Sequence, residues 1–320
     1  MPQRIILDTD IGTDVDDAMA VALAALSPEI QVEGITTVYG DVDLRARMAV
    51  KILKLLGRED IPVMAGVEHP LLRNRPMWWL GHEGEGLLTD DDRDLVYDPR
   101  HAVDFIIETV MQNPGQITLI AIGPFTNVAV ALAREPRVAQ NVKDIIIMGG
   151  SARLGANAAD LEYIDHNVKC DPESAALLFA SGAPITMCGY DVTRQVLVRT
   201  ADVERLEATG DELNMAMARM IRRWLTYWKR DFTAMNDPLC VAMAFDPTLC
   251  RGEKMYVHVE YDHRHPTGHT VCQRPYTPWT PPEELGLQKP EPKVQVCLEV
   301  DGDRFIRLMM DRVCDRCAQR

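Results

Sequence analysis

Short β-branched runs alternate with longer segments of helical spacing from Arg4 to Cys188. Strands covered on both faces read as continuous apolar runs, and parallel neighbours need a crossover between them, usually a helix. The pattern predicts an α/β fold, a single domain with a mostly parallel central sheet flanked by helices. Strands are expected at Arg4 to Leu7, Val32 to Val38, Ile117 to Ile122, Asp144 to Met148 and Ile185 to Cys188. Helices are expected at Asp17 to Leu26, Leu44 to Leu56, Ala102 to Gln112, Val128 to Ala133 and Glu173 to Ala180. Asp98-Pro99 and Asp171-Pro172 each put an acceptor side chain before a residue that has no N–H to satisfy, which marks a helix start.

After Asp191 the alternation weakens into a helical cap region, about 201–245, that carries Trp224, Tyr227 and Trp228. A strand at Met255 to Tyr261 follows. Residues 262–292 contain seven prolines and three histidines without an apolar period, which reads as a surface insertion. A strand at Val294 to Val300 and a helix from Asp303 complete the pattern. No repeat or linker divides residues 1–320, and 47% apolar side chains suffice for one core.

With 48 acidic against 34 basic side chains the formal charge is -14. That charge opposes association with the phosphates of nucleic acid or with anionic lipid, so a small molecule or a metal ion is the expected partner. The longest apolar run, Ala18 to Leu26, falls short of the ~20 residues of a membrane helix, and Met1 to Asp10 lacks the apolar stretch of a signal peptide. A soluble, cytoplasmic protein is expected. Its eight cysteines are scattered and lie mostly inside apolar segments, as Cys188 and Cys297 do, which fits reduced thiols. Cys314 and Cys317 have no second pair to complete a zinc site. His263, His265 and His269 are irregularly spaced in the proline-rich insertion and read as loop residues.

The first expected strand ends in Asp8-Thr9-Asp10-Ile11-Gly12-Thr13-Asp14-Val15-Asp16-Asp17, five aspartates in ten residues where strand becomes helix. In open α/β sheets ligands bind beyond the carboxyl ends of the strands, so these side chains face the expected crevice. Carboxylates so close repel one another unless a cation holds them, and oxygen-only ligands suit Ca²⁺ or Mg²⁺. A D-x-D element also occurs in phosphohydrolases that use an aspartate nucleophile, here Asp8 or Asp10, so the surroundings must decide.

Those surroundings are a set of motifs: LDTDIGTDVDDAMAV, ITTVYGD (Ile35 to Asp41), HEGEGL (His82 to Leu87), IGPFTNVAVAL (Ile122 to Leu132), IIIMGG (Ile145 to Gly150), HNVKCDPESA (His166 to Ala175) and NDPL (Asn236 to Leu239). Together and in this order they resemble the inosine-uridine preferring nucleoside hydrolase family. The resemblance implies Ca²⁺ held by Asp10, Asp17, the Thr126 carbonyl and Asp237, a number of ligands that leaves positions for ribose hydroxyls and water. It implies Ca²⁺-dependent hydrolysis of the N-glycosidic bond of a ribonucleoside, with Asp10 as general base and Asp16 in support. Sugar-binding positions fall on Asp41, Asp165, His166 and Asn167, with Asn157 the nearest counterpart of an upstream asparagine. Where the purine-processing type has His-Asp this chain has Asn236-Asp237, and an amide cannot donate a catalytic proton. His82 and Tyr227 are then the candidate proton donors. Trp224, Tyr227 and Trp228 span one helical turn, and either stack on a nucleobase or pack in the core. The family further implies a homodimer or homotetramer. The alternatives are a ribonucleoside- or ribose-binding protein with little turnover, and a hydrolase of another ribosyl compound.

Overall fold

The computed structural model describes residues 2–152, 164–262, 267–275 and 291–315. In chain order its strands are β1 (Gln3–Thr9), β2 (Ile30–Thr37), β3 (Val63–Ala65), β4 (Ile117–Ala121), β5 (Asp144–Met148), β6 (Ile185–Cys188), β7 (Leu197–Arg199), β8 (Phe232–Ala234), β9 (Cys250–Val259), β10 (Thr270–Gln273) and β11 (Val294–Val300). The helices are α1 (Asp16–Leu26), α2 (Val42–Leu56), α3 (Ala102–Gln112), α4 (Thr126–Arg134), α5 (Val138–Asn141), α6 (His166–Cys170), α7 (Pro172–Ala180), α8 (Tyr190–Thr193), α9 (Thr200–Ala208), α10 (Glu212–Trp228), α11 (Asn236–Met243) and α12 (Gly302–Asp315).

Nine strands form one sheet in the order β10-β9-β11-β6-β5-β4-β1-β2-β3. Neighbours from β11 to β3 are parallel, and β9 joins both β11 and β10 antiparallel. The sheet is buried on both faces, by a core that includes α1, α2 and α11 on one side and by one that includes α3, α4 and α7 on the other. Strand order reverses at β1, which lies between β2 and β4. Loops leave such a reversal in opposite directions and open a crevice between them, so β1 and β4 both deliver their carboxyl ends to one place.

The expected parallel strands and their helices coincide with observed elements to within two residues at each end. The departures have local causes. Asp98 does not cap α3: its Oδ1 accepts from Arg100 N at 2.9 Å, its own N–H bonds to Val63 O, and His101 Nδ1 takes the cap by accepting from Val103 N. Asp171 does cap α7, accepting from Ser174 N at 3.1 Å. Region 201–245 is not helical throughout, because Phe232–Ala234 pairs antiparallel with Leu197–Arg199 and separates α10 from α11. The proline-rich segment contributes an edge strand, β10, whose alternation is too short to show as a period. His263, His265 and Cys317 lie outside the described residues. No helix among the described residues is long and apolar enough to cross a membrane.

Candidate active site

β1 delivers a buried acidic loop into the crevice, and α1 begins inside it. Val15 at the N-cap has no side-chain cap, so Asp16 and Asp17 lie in the first turn, where unpaired N–H groups and the helix dipole favour negative charge. α11 packs against α1 and brings Asn236 and Asp237 to the same spot. One carboxylate oxygen from each of Asp14, Asp16, Asp17 and Asp237 lies within 4.8 Å of the others. Asp14 is half-buried and the other three are buried. Asp17 accepts from the Thr9 hydroxyl, while Asp16 Oδ2 accepts from Asn236 N at 3.1 Å and Nδ2 at 2.8 Å. Asp16 Oδ1 is buried with no hydrogen-bond partner. Burial and mutual repulsion hold the Asp14, Asp17 and Asp237 carboxyls well above the usual carboxylate range. Burial also raises Asp10, against the fields of Arg45 and His166. Four carboxylates crowded in this way, one of them with an unpartnered buried oxygen, fit a hard divalent cation.

These acids floor a cavity of 1090 Å³ whose upper lining includes Trp78, His166, Trp224 and Trp228. Trp78 meets His166 edge-on at 4.8 Å between ring centroids, and burial lowers the His166 imidazole below its ordinary value. Asn167 donates from Nδ2 to Ile122 O (2.7 Å) and Met148 O (3.0 Å), which fixes the amide at the joint of β4 and β5. Asp165 caps α6 by accepting from Val168 N at 3.0 Å, and burial pushes its carboxyl up to about 6.

Of the residues expected from sequence, Asp10, Asp16, Asp17, Asp165, His166, Asn167, Trp228, Asn236 and Asp237 line this cavity. Four described ones do not. Asp41 caps α2 by accepting from Leu44 N. Thr126 is buried, and its hydroxyl donates to Asp171 Oδ2 at 2.6 Å. Tyr227 is 55% exposed and faces a neighbouring groove together with His82. His82 Nε2 donates to Thr13 O at 2.7 Å, since a carbonyl can only accept, and the ring stands 6.3 Å from both Trp224 and Tyr227. Asn157 lies outside the described residues. Asp8 does not line the cavity either; its Oδ1 accepts from Thr36 and Asn127, and burial pushes the carboxyl up to about 7. Asp14 belongs to the acidic run but not to the ligand set that the family resemblance implies, although the loop from Asp10 to Asp17 is long enough to turn it back onto its neighbours. Trp78 carried no periodic signal at all.

An acid-floored crevice at the strand reversal, walled by tryptophans, has the layout of an enzyme site for a small ligand held at a metal-binding floor. The family model for inosine-uridine preferring nucleoside hydrolases matches residues 5–307, and the chain belongs to that family. It is 33% identical to the pyrimidine-specific ribonucleoside hydrolase RihA of Salmonella arizonae over 98% of this chain and 99% of that protein. With RihA of Citrobacter koseri the identity is 32%, over 98% of each chain. Among solved structures, a purine-preferring ribonucleoside hydrolase from Gardnerella vaginalis superposes with a TM-score of 0.84 at 29% identity, covering 99% of this chain and 100% of that one. The plant nucleoside hydrolase PpNRh1 gives 0.79 at 29% identity, covering 98% and 99%.

Proposed function

We propose that this chain hydrolyses the N-glycosidic bond of ribonucleosides to free base and ribose, using Ca²⁺. The observation that carries the reading is the convergence of Asp14, Asp16, Asp17 and Asp237 on the floor of a tryptophan-walled cavity. Asp17 and Asp237, with Asp10 and the Thr126 carbonyl, are the ligands that the family resemblance implies, and Asp14 and Asp16 are close enough to add to them. The unpartnered Asp16 Oδ1 and the all-oxygen donor set support an ion of the Ca²⁺ class. When bound, such an ion supplies Lewis acidity to water and orients sugar hydroxyls.

The chain's own groups carry the remaining steps. Asp10 accepts the proton of the attacking water as general base. Positive charge builds on the ribose as the glycosidic bond breaks, and the surrounding carboxylates favour that state over the neutral ground state. Asn236 tethers Asp16 through two donors to one oxygen, so it acts as a positioning residue and not as a proton donor. Asn167 and His166 are proposed to meet the sugar, and Trp228 to stack on the base. His82 can protonate the leaving base only after its bond to Thr13 breaks and the ring turns past Trp224.

The test is base release from inosine, adenosine, guanosine, uridine and cytidine and their deoxy forms, with Ca²⁺ and with a chelator. Release from the ribonucleosides that stops with the chelator is expected. The panel carries both base classes, because the RihA relatives are named pyrimidine-specific and the G. vaginalis enzyme purine-preferring. No release from any of them, with Ca²⁺ bound, would redirect the reading to another ribosyl compound or to binding alone.

A further inference from the structure

Arg45, on α2, is 1% exposed and is the only lysine or arginine among the buried described residues. A guanidinium withdrawn from water needs both hydrogen-bond acceptors and opposite charge. Its acceptors are main-chain carbonyls: Nε donates to Tyr39 O at 2.6 Å and Nη1 to Ile11 O at 2.7 Å. One face of the group lies 5.0 Å from the Trp79 ring centroid. Gly40 makes this possible, because a Cβ there would lie 2.5 Å from the Trp79 ring. Opposite charge is supplied by the acidic loop itself, since Ile11 directly follows Asp10. Yet Arg45 forms no ion pair with any of those carboxylates among the described residues.

This division of labour is unusual. A buried arginine beside buried aspartates ordinarily forms a bidentate pair with one of them, which would occupy both oxygens. Here the N–H groups go to carbonyls, so the cation balances the loop's charge through space and leaves the carboxylate oxygens open. The Ile11 carbonyl it holds sits at the turn that separates Asp10 from Asp14, and Gly12, at φ +133°, completes that turn.

We infer that Arg45 is a built-in counter-ion and positioning residue for the first loop: its charge keeps the loop in the metal-receiving arrangement while no metal is bound, so that the ion enters a site already shaped. The inference rests on the metal reading proposed above. It makes Arg45 and a divalent ion partial substitutes, each compensating the same aspartates.

The experiment compares thermal melting of the full-length wild type, Arg45→Gln and Arg45→Lys, stripped of metal and then saturated with Ca²⁺ alone. Gln keeps two donors and loses the charge, whereas Lys keeps the charge and loses the fork. Without metal, Arg45→Gln is expected to melt at least about 5 °C below the wild type, with Arg45→Lys losing less than half as much. Saturating Ca²⁺ is expected to raise the Tm of Arg45→Gln at least twice as far as that of the wild type. If the Gln variant does not stay folded without metal, it is purified with Ca²⁺ and then chelated; tryptophan fluorescence should report unfolding of that variant but not of the wild type. Equal Ca²⁺ shifts in wild type and Arg45→Gln, or a Gln variant unfolded in saturating Ca²⁺, would overturn the inference, since both describe an ordinary structural tie. Failure of the metal reading looks different: no Ca²⁺ shift in any of the three. The metal-free order then decides, with Lys above Gln supporting the counter-ion and the reverse overturning it.

Discussion

The floor and the mouth of the cavity are built on different principles. The floor is backbone-determined: Asp10, Asp16, Asp17 and Asp237 stand at the end of β1 and in the first turns of α1 and α11, all four buried. The mouth is formed by side chains on a loop and at the end of one helix. Trp78 is 38% exposed and Trp228 44%, and both are held by ring contacts with His166, Trp224 and Tyr227. Floor atoms are fixed by the sheet and by hydrogen bonds whose loss is costly. The mouth can be recut by surface substitutions that leave the fold intact. On the function proposed above, the reaction belongs to the floor and the choice of base to the mouth.

The largest effect should come from the floor. Asp237→Ala is expected to abolish stoichiometric Ca²⁺ binding and to reduce base release to background; full metal occupancy in this variant, by calorimetric titration, would break the assignment of the floor. Asp10→Asn tests the floor's chemistry, and kcat should fall by about 10² to 10⁴-fold, the usual contribution of a general base. At the mouth, Trp228→Ala is expected to raise KM by roughly five- to a hundredfold while kcat changes less, the range of one base-stacking contact. A variant that lowers kcat and leaves KM unchanged would move Trp228 from base recognition into the chemistry.

The smallest effect concerns the cavity wall. Burial raises Asp165 from an ordinary 3.8 to about 6, so its contribution to stability is present below pH 4 and is lost as pH rises through 6. Asp165→Asn keeps the cap and cannot ionise, so its Tm should fall less between pH 4 and 7 than that of the wild type. Parallel melting curves for the two proteins would remove Asp165 as the source of that slope.

The sequence made the floor more legible than the mouth, and the reason is physical. β5 and β6 could be read to the residue, because a strand covered on both faces must be apolar along its length. β3 was missed because three residues carry no period, and β7 and β8 because they pair with each other across a helical region. The acidic cluster announced itself by density, since five carboxylates in ten residues have few other uses. Which of the five converge depends on how the loop folds back, and that brought in Asp14, which the motif left without a role. Asp41 and Asp165 illustrate the converse. Both have the chemistry for sugar binding and each has an oxygen engaged in capping a helix, but Asp165 lines the cavity and Asp41 does not, a difference that spacing alone does not show. His82 likewise faces a neighbouring groove because its ring bonds to the Thr13 carbonyl.

The place of β11 in the sheet has a consequence for how the molecule is made. Among the described residues this strand comes last of eleven in sequence but lies between β6 and β9, parallel to one and antiparallel to the other. A ribosome that has released only the first 290 residues has produced a chain in which the open edge of β6 has no partner and the β9–β10 hairpin has nothing to join. Contacts of such long sequence separation are slow to form, and an unpaired edge is a site of misassociation while it waits. The acidic loop follows β1 and is made long before β11, yet three of the nine strands of its sheet, β11, β9 and β10, join only when residues 294–300 arrive.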